Sequence, residues 1–143
     1  MKIASVISSA RKGRDPQRLV EAIPYARFLG VRVEIRGEEF CCALPFRPDL
    51  IGNPQLPALH GGVTAGLLEC AAILYLMWST EVHAIPKTID FSIDFLRTGR
   101  PQDTFATVHV VKPGRRVAAV RVEAWQENPE KPIATAHCNF LMG

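Results

Sequence analysis

The sequence predicts an α+β domain in which a curved antiparallel sheet wraps around one long buried helix. Residues 63–78 are apolar or small on every face of a helix, apart from one carboxylate, and such a helix needs cover on all sides. Four strand-like segments follow it through short connections, which favour antiparallel neighbours. A chain of 143 residues has room for one substantial core, so we expect one domain over residues 1–143.

The segments before the long helix are predicted from cap and turn signals. Asp15 and Pro16 are typical of the start of a short N-terminal helix, which we expect to end near Ile23. Proline and glycine then bracket a turn-like segment at residues 24–30. The remaining segments are two strands and a loop that leads into the long helix: residues 31–35, 40–46 and 48–57.

After the long helix the apolar period changes from 3.6 to 2. In residues 88–96 Ile and Phe alternate with Asp and Ser, which predicts a half-buried strand. Further strands are predicted at residues 104–112, 116–126 and 133–142, separated by turns that contain proline. A sheet of these strands around a single helix, closed by a second copy of the chain, is the hotdog fold. A sandwich would need more strands, and a βαβ fold would need helices between strands that here follow one another directly.

Charge and hydropathy exclude several classes of protein. The net charge of +3 allows an anionic ligand but is too small and too dispersed to indicate a nucleic-acid partner. The apolar run at 63–78 is shorter than the roughly 20 residues that a bilayer requires, so we expect a core helix and no membrane partner. The first ten residues are mildly apolar but short, and we expect no signal peptide.

Four cysteines are present, without the spacing of a metal site. Their pattern is also a poor start for a disulfide framework, so we expect buried thiols, a cytoplasmic location and no metal. We also expect no cofactor. Cys70 points about 100° away from its neighbour Glu69 around the helix and is predicted to be a core residue rather than a nucleophile.

Glu69 is the unexplained residue of the long helix, because burying an unpaired carboxylate is costly. Its neighbours three and four residues away include three small ones, which predicts a shallow depression that another backbone or a thin ligand can enter. These neighbours are Ala65, Gly66, Ala72 and Ile73. An alternative interpretation is that Glu69 pairs with an arginine across a subunit interface.

Gly61 and Gly62 stand where the first free N–H groups of the helix are expected. Glycines there let a carbonyl oxygen come close to these donors, and the helix dipole favours developing negative charge. The start of the helix is therefore a candidate oxyanion hole about two turns from Glu69. In the alternative interpretation, the glycines only permit a tight turn.

The segment Leu59-His60-Gly61-Gly62-Val63, with an acid nine residues after the histidine, is similar to the signature of hotdog acyl-CoA thioesterases of the phenylacetate-pathway (PaaI-like) family. The resemblance extends from about residue 15 to residue 142. It also includes four further segments: residues 23–30, 88–97, 114–118 and 133–136. It implies hydrolysis of an aryl- or medium/long-chain acyl-CoA to free acid and coenzyme A.

The resemblance also implies roles for individual residues. Glu69 would be general base or nucleophile, the Gly61 N–H would polarise the thioester carbonyl, His60 would hold the loop, and Thr88 would assist. In the family an upstream side-chain amide orients water. At that position this chain has Pro54, so either Asn53 or Gln55 is the candidate. Many family members have Asp where this chain has Glu69, which leaves the subtype open.

Substrate binding and assembly follow from the same resemblance. Gly62 and Gln55 are expected near the substrate. Arg97, Arg115 and Arg116 are either ordinary surface charges or contacts to the coenzyme A phosphates. A homodimer or a dimer of dimers is implied, with Glu69 and Gly61 of one site contributed by different chains. The alternatives are a hotdog hydroxyacyl-thioester dehydratase and a non-catalytic acyl-CoA-binding hotdog protein.

Overall fold

A computed structural model describes residues 2–143. The helices are α1 (Ile3–Lys12), α2 (Gln17–Glu21), α3 (Pro24–Leu29) and α4 (Gly61–Ser79), with one turn of 3-10 helix at Pro48–Leu50. The strands are β1 (Arg32–Arg36), β2 (Glu39–Leu44), β3 (Ile51–Asn53), β4 (Ala58–Leu59), β5 (Lys87–Phe95), β6 (Thr104–Pro113), β7 (Val117–Trp125) and β8 (Ala134–Leu141).

Six strands form one sheet in the order β1-β2-β6-β7-β8-β5, and every neighbouring pair is antiparallel. The short strands β3 and β4 form a separate hairpin just before α4. The prediction of an antiparallel sheet with one long central helix is confirmed, and α4 begins at Gly61 as expected.

The core lies between α4 and the inner face of the sheet. Alternate residues of β7 and β8 are buried against the helix, as the two-residue period of a strand requires. They are Ala118, Val120, Val122, Ala124, Ala134, Ala136, Cys138 and Phe140. Half of these side chains are alanines, so the helix can lie close to the strands.

Among residues 2–143, α4 is the one helix that is long and apolar enough to cross a membrane by length and composition. Half of its most apolar window is buried inside the protein. Leu67, Leu68 and Leu74 are fully buried. A core helix meets the same criteria, and this helix fills the core as the sequence predicted.

The N-terminal region differs from its prediction. α1 was not expected, although Ile3, Ile7 and Ala10 follow a helical period, and the last two are buried. The segment predicted as a turn is the helix α3, which ends at Gly30 in the left-handed conformation. α2 begins after Pro16, but Asp15 makes no side-chain cap. Three helices rather than one therefore precede the sheet.

β5 is less buried than predicted. It pairs only with β8 and forms an edge of the sheet. Phe91 and Ile93 are partly buried, whereas Ile89 and Phe95 are exposed. The alternation was identified correctly, but one chain does not cover the apolar face of this strand. An edge strand of this kind can pair with another chain.

We expect Gly30→Ala to destabilise the protein more than Gly37→Ala. Both glycines have positive φ, +89° and +65°, and an alanine there costs about 1 kcal/mol. Only at Gly30 does an added Cβ meet a neighbour, the Arg47 Nη1 at 3.1 Å, and this guanidinium donates to the carbonyls of Phe28 and Leu29. Urea unfolding measures the difference. Equal losses for the two variants would contradict this role of Arg47.

Candidate active site

The Glu69 carboxylate is held by a hydroxyl group from β5. α4 places Glu69 toward this edge strand, where Thr88 Oγ1 donates to Glu69 Oε2 at 2.8 Å. A hydrogen bond to an ionised acceptor is stronger than a neutral one and offsets part of the cost of partial burial. Among residues 2–143 no lysine or arginine forms an ion pair with Glu69. The carboxylate is thus oriented by Thr88 and is not neutralised within one chain.

The start of α4 presents one free donor rather than two. His60 is the N-cap of the helix, and its Nδ1 accepts from the Gly62 N–H at 2.9 Å. The expectation that Gly62 also offers a free donor is therefore wrong, because the cap occupies it. In the described part of the chain the Gly61 N–H has no hydrogen-bond partner. It remains available to a carbonyl oxygen.

Gly52 is a positioning residue that the sequence reasoning missed. A Cβ at Gly52 would lie 2.7 Å from the Cα of His60, closer than any side chain tolerates. The His60 backbone N–H also donates to the Leu50 carbonyl at 2.9 Å. Together these contacts fix the histidine that begins the helix. A glycine in a short strand before the His-Gly-Gly segment was the available signal.

Gly61 opens onto a groove of about 430 Å³ that also contains Phe95 and Arg97. The Phe95 ring lies 3.2 Å from the place that a Cβ at Gly61 would occupy. Arg97 Nη1 donates to the Pro132 carbonyl at 2.7 Å, which leaves its other donors toward the groove or solvent. Arg97 therefore lies near the free Gly61 donor, and its contact with substrate stays a prediction.

The loop between β3 and β4 holds both candidates for the water-orienting amide. Asn53 Oδ1 accepts from the backbone N–H groups of Gln55 at 3.0 Å and Leu56 at 3.4 Å, which makes an Asx turn. The Asn53 oxygen therefore shapes the loop. The Gln55 side chain is exposed. Neither amide is hydrogen-bonded to Glu69 within one chain, so the two alternatives stay open.

The predicted site residues fall into two groups in one chain. Glu69 and Gly61 are eight residues apart on α4, about 12 Å at the rise of about 1.5 Å per residue. β5 runs alongside, with Thr88 at the glutamate and Phe95 at the glycine. One thioester carbonyl is too small to contact both ends.

The arginines divide between the same two ends. Arg97 follows the Phe95 end of β5. Arg115 lies in the turn between β6 and β7, beside Glu81 just after α4. Arg116 is in the same turn, and its carbonyl accepts from the Met142 N–H at 2.8 Å. One chain does not bring the three predicted phosphate contacts together.

The thiols near Glu69 are protonated at neutral pH. Burial, followed by the charge of Glu69, raises the pKa of Cys70 to about 12. The same two causes, with a smaller one from Asp90, raise the pKa of Cys138 to about 12. Burial also raises the pKa of Cys42, by more than that of Cys70 or Cys138. Because the thiolate is the nucleophilic form, this supports the prediction that Cys70 is a core residue.

Solved structures identify the architecture as that of the hotdog thioesterases. A protein from Chromobacterium violaceum is 38% identical, covers 96% of each chain and has a TM-score of 0.78. A protein from Shewanella oneidensis, related to the thioesterase superfamily, is 28% identical, covers 96% of this chain and 98% of its own, and has a TM-score of 0.73. The mouse thioesterase superfamily member 2 is 22% identical, covers 90% of this chain and 96% of its own, and shares the fold with a TM-score of 0.74.

The chain belongs to the acyl-CoA thioesterase family. The family profile described as acyl-CoA thioesterase N-terminal domain matches residues 52–141. The medium/long-chain acyl-CoA thioesterase YigI of Escherichia coli K12 is 32% identical over 141 residues, which cover 89% of this chain and 90% of that protein. The resemblance seen in the sequence is confirmed, and the chain is a thioester hydrolase of the hotdog fold.

We expect alkylation of the native protein at pH 8 to modify Cys41 and to spare the other three thiols. Cys41 is partly exposed, whereas the other three are buried. The protected thiols remain protonated until the pH approaches their raised pKa values. Mass spectrometry after iodoacetamide treatment, with and without denaturant, measures this, and Cys41→Ser is the control that abolishes native labelling. Rapid modification of Cys70 in the folded protein would contradict the assignment.

Proposed function

We propose that the protein hydrolyses medium- or long-chain acyl-CoA thioesters, with Glu69 as the catalytic carboxylate. The hydrogen bond from Thr88 to Glu69, on the central helix of this family's fold, is the observation that carries the proposal. The chain length of the acyl group is inferred from the name of the YigI relative. An aryl substrate, which the sequence also allowed, has no such support.

In the proposed reaction the thioester carbonyl oxygen accepts from the Gly61 N–H, at the positive end of the helix dipole. Glu69 takes a proton from a water molecule whose oxygen bonds to the carbonyl carbon, or it attacks this carbon directly. In the first route the bond to sulfur then breaks, and the proton passes from Glu69 to the leaving thiolate. In the second route the thiolate leaves from an anhydride between Glu69 and the acyl group; water then hydrolyses this anhydride to the free acid and Glu69, and the released proton passes to the thiolate. Thr88 keeps one oxygen of Glu69 fixed, and the other faces the substrate. No metal or cofactor takes part.

The site requires two copies of the chain, because Glu69 and Gly61 are about 12 Å apart along one helix. The exposed edge of β5 supports the pairing. If two β5 strands pair antiparallel, the Thr88 end of one lies beside the Phe95 end of the other. Glu69 of one chain then approaches Gly61 of the second copy. A dimer and a dimer of dimers satisfy this geometry equally.

The same pairing unites the arginines. Arg97 of one copy comes to the end of the sheet that carries Arg115 and Arg116 of the other, so the three can contact the phosphates of coenzyme A. The pairing also brings Gln55, Asn53 and Gly62 of one copy near Glu69 of the other. We place the enzyme in the cytoplasm, since its four cysteines are free and acyl-CoA is an intracellular substrate.

Glu69→Gln is expected to reduce kcat about 10²–10⁴-fold, because the amide neither accepts a proton nor attacks. Thiol release from dodecanoyl-CoA measures the loss, and urea unfolding checks that the variant is folded. Glu130→Gln, in an exposed loop, removes the same charge as a control. Full turnover by Glu69→Gln would contradict the proposal. A folded wild type that binds acyl-CoA without releasing thiol would indicate the non-catalytic alternative instead.

Comparing Gly61→Pro with Gly61→Ala distinguishes the loss of the proposed oxyanion donor from the effect of crowding the Phe95 ring. Both variants place a Cβ against the Phe95 ring, but only proline removes the N–H. Proline suits the first helical position, and His60 has the extended backbone that precedes proline. We expect kcat to fall about 10²–10³-fold in Gly61→Pro and to stay close to the wild-type value in Gly61→Ala. Equal losses would contradict the donor role.

Mixing the two inactive chains tests whether the site is shared. Unfolding and refolding Glu69→Gln together with Gly61→Pro gives hybrid dimers with one intact site each. Half of the dimers are hybrids, so activity returns to about a quarter of the wild-type value. Each variant refolded alone is the control. If the site lay within one chain, mixing would restore nothing.

A further inference from the structure

The short helix α3 displays two stacked aromatic side chains at the surface. The ring centroids of Tyr25 and Phe28 are 6.1 Å apart and the rings are inclined by 26°. Tyr25 is 50% exposed and Phe28 is 73% exposed. An adjacent pair of large apolar groups in contact with water is typical of a surface that binds a ligand or a partner.

This aromatic pair lies beside the catalytic helix because of Gly66. A Cβ at Gly66 would be 3.2 Å from Tyr25 Cε2 and 3.3 Å from its hydroxyl, so the ring rests directly on the helix backbone. A glycine inside a helix costs about 1 kcal/mol, and the close approach of Tyr25 explains its presence. Gly66 is three residues before Glu69, and side chains at this spacing are about 5–6 Å apart on one face. Tyr25 therefore lies within about one helical turn of the catalytic carboxylate.

α3 is fixed and does not behave as a loose flap. The Arg47 guanidinium donates from Nη2 to the Phe28 carbonyl at 3.0 Å and from Nη1 to the Leu29 carbonyl. Ala26 and Leu29 of the same helix are buried in the core. The aromatic pair is thus held in place before any ligand arrives, which lowers the ordering cost of binding.

We propose that Tyr25 and Phe28 form the wall that receives the acyl chain of the substrate and selects its length. The inference rests on the proposed function, which places the thioester at Glu69. The coenzyme A half of the substrate carries phosphates and needs cations, whereas the surface next to Gly66 presents two aromatic rings. The acyl chain therefore leaves Glu69 and passes over Tyr25, which covers Gly66, toward Phe28. A longer chain covers more of both rings.

The test compares kcat/KM for saturated acyl-CoAs of four to sixteen carbons in the wild type, Tyr25→Ala and Phe28→Ala. The measured quantity is the ratio of the value for dodecanoyl-CoA to that for the shortest acyl-CoA hydrolysed by the wild type. We expect each variant to lower this ratio about tenfold through KM, because the longer chain loses apolar contact. Tyr25→Phe, which keeps the ring, is expected to restore it. Val111→Ala, at a residue 66% exposed on β6, is the control and should leave the ratio unchanged.

Each outcome decides between the two proposals. An active wild type whose ratio is unchanged in both alanine variants overturns the aromatic wall and leaves the thioesterase assignment intact. A wild type that hydrolyses no acyl-CoA overturns both. The alanine variants could instead change the oligomer mass measured by light scattering and lower kcat/KM equally for all substrates. In that case the aromatic pair contacts a second copy of the chain and the proposal is wrong.

Discussion

α4 carries apolar or small residues around almost its whole circumference, and every other element of the chain is placed by the need to cover it. The inner face of the sheet covers one side with alternate small residues of β7 and β8. The N-terminal helices cover another, and Arg11 donates to the Met77 carbonyl near the end of α4. The exposed edge strand β5 is where this cover is least complete, and Glu69 faces it.

The incomplete cover and the proposed catalytic carboxylate therefore lie at the same place in the structure. A carboxylate is tolerated on a buried helix only where water, a hydroxyl or a substrate reaches it, and Thr88 supplies the hydroxyl. An edge strand beside it leaves unpaired backbone groups that a second copy can satisfy. In the proposed dimer, pairing of the two copies would cover the exposed strand β5 and assemble the site at the same time. Such a dimer would explain why Gly61 and Glu69 lie about 12 Å apart on one helix rather than side by side.

The sequence predicted what depends on periodicity and missed what depends on side-chain geometry. The helix α4 and the six strands of the large sheet follow from apolar spacing, whereas β3 lies in the segment predicted as a loop. Glu69 is a candidate because a carboxylate is out of place on such a helix. The sequence predicts a turn at α3 because this helix has only six residues, begins with a proline and is followed by a glycine. The use of the Gly62 N–H by His60 depends on a rotamer, and Gly52 matters through a contact across a hairpin. Local sequence gives no signal for the rotamer of His60, and for Gly52 it gives only the presence of a glycine before the His-Gly-Gly segment.

Three glycines around α4 have one explanation that none of them suggests alone. Each allows a close contact: Gly52 with the Cα of His60, Gly61 with the ring of Phe95 and Gly66 with the ring of Tyr25. His60 orders the helix start, while Phe95 and Tyr25 lie against the backbone on either side of the segment that leads from Gly61 to Glu69. Both rings are also in contact with water, since Phe95 is 57% exposed and Tyr25 is 50% exposed. A Cβ at any of the three positions would require a neighbouring residue to move, so the glycines allow these side chains to pack directly at the start of the helix that carries Glu69.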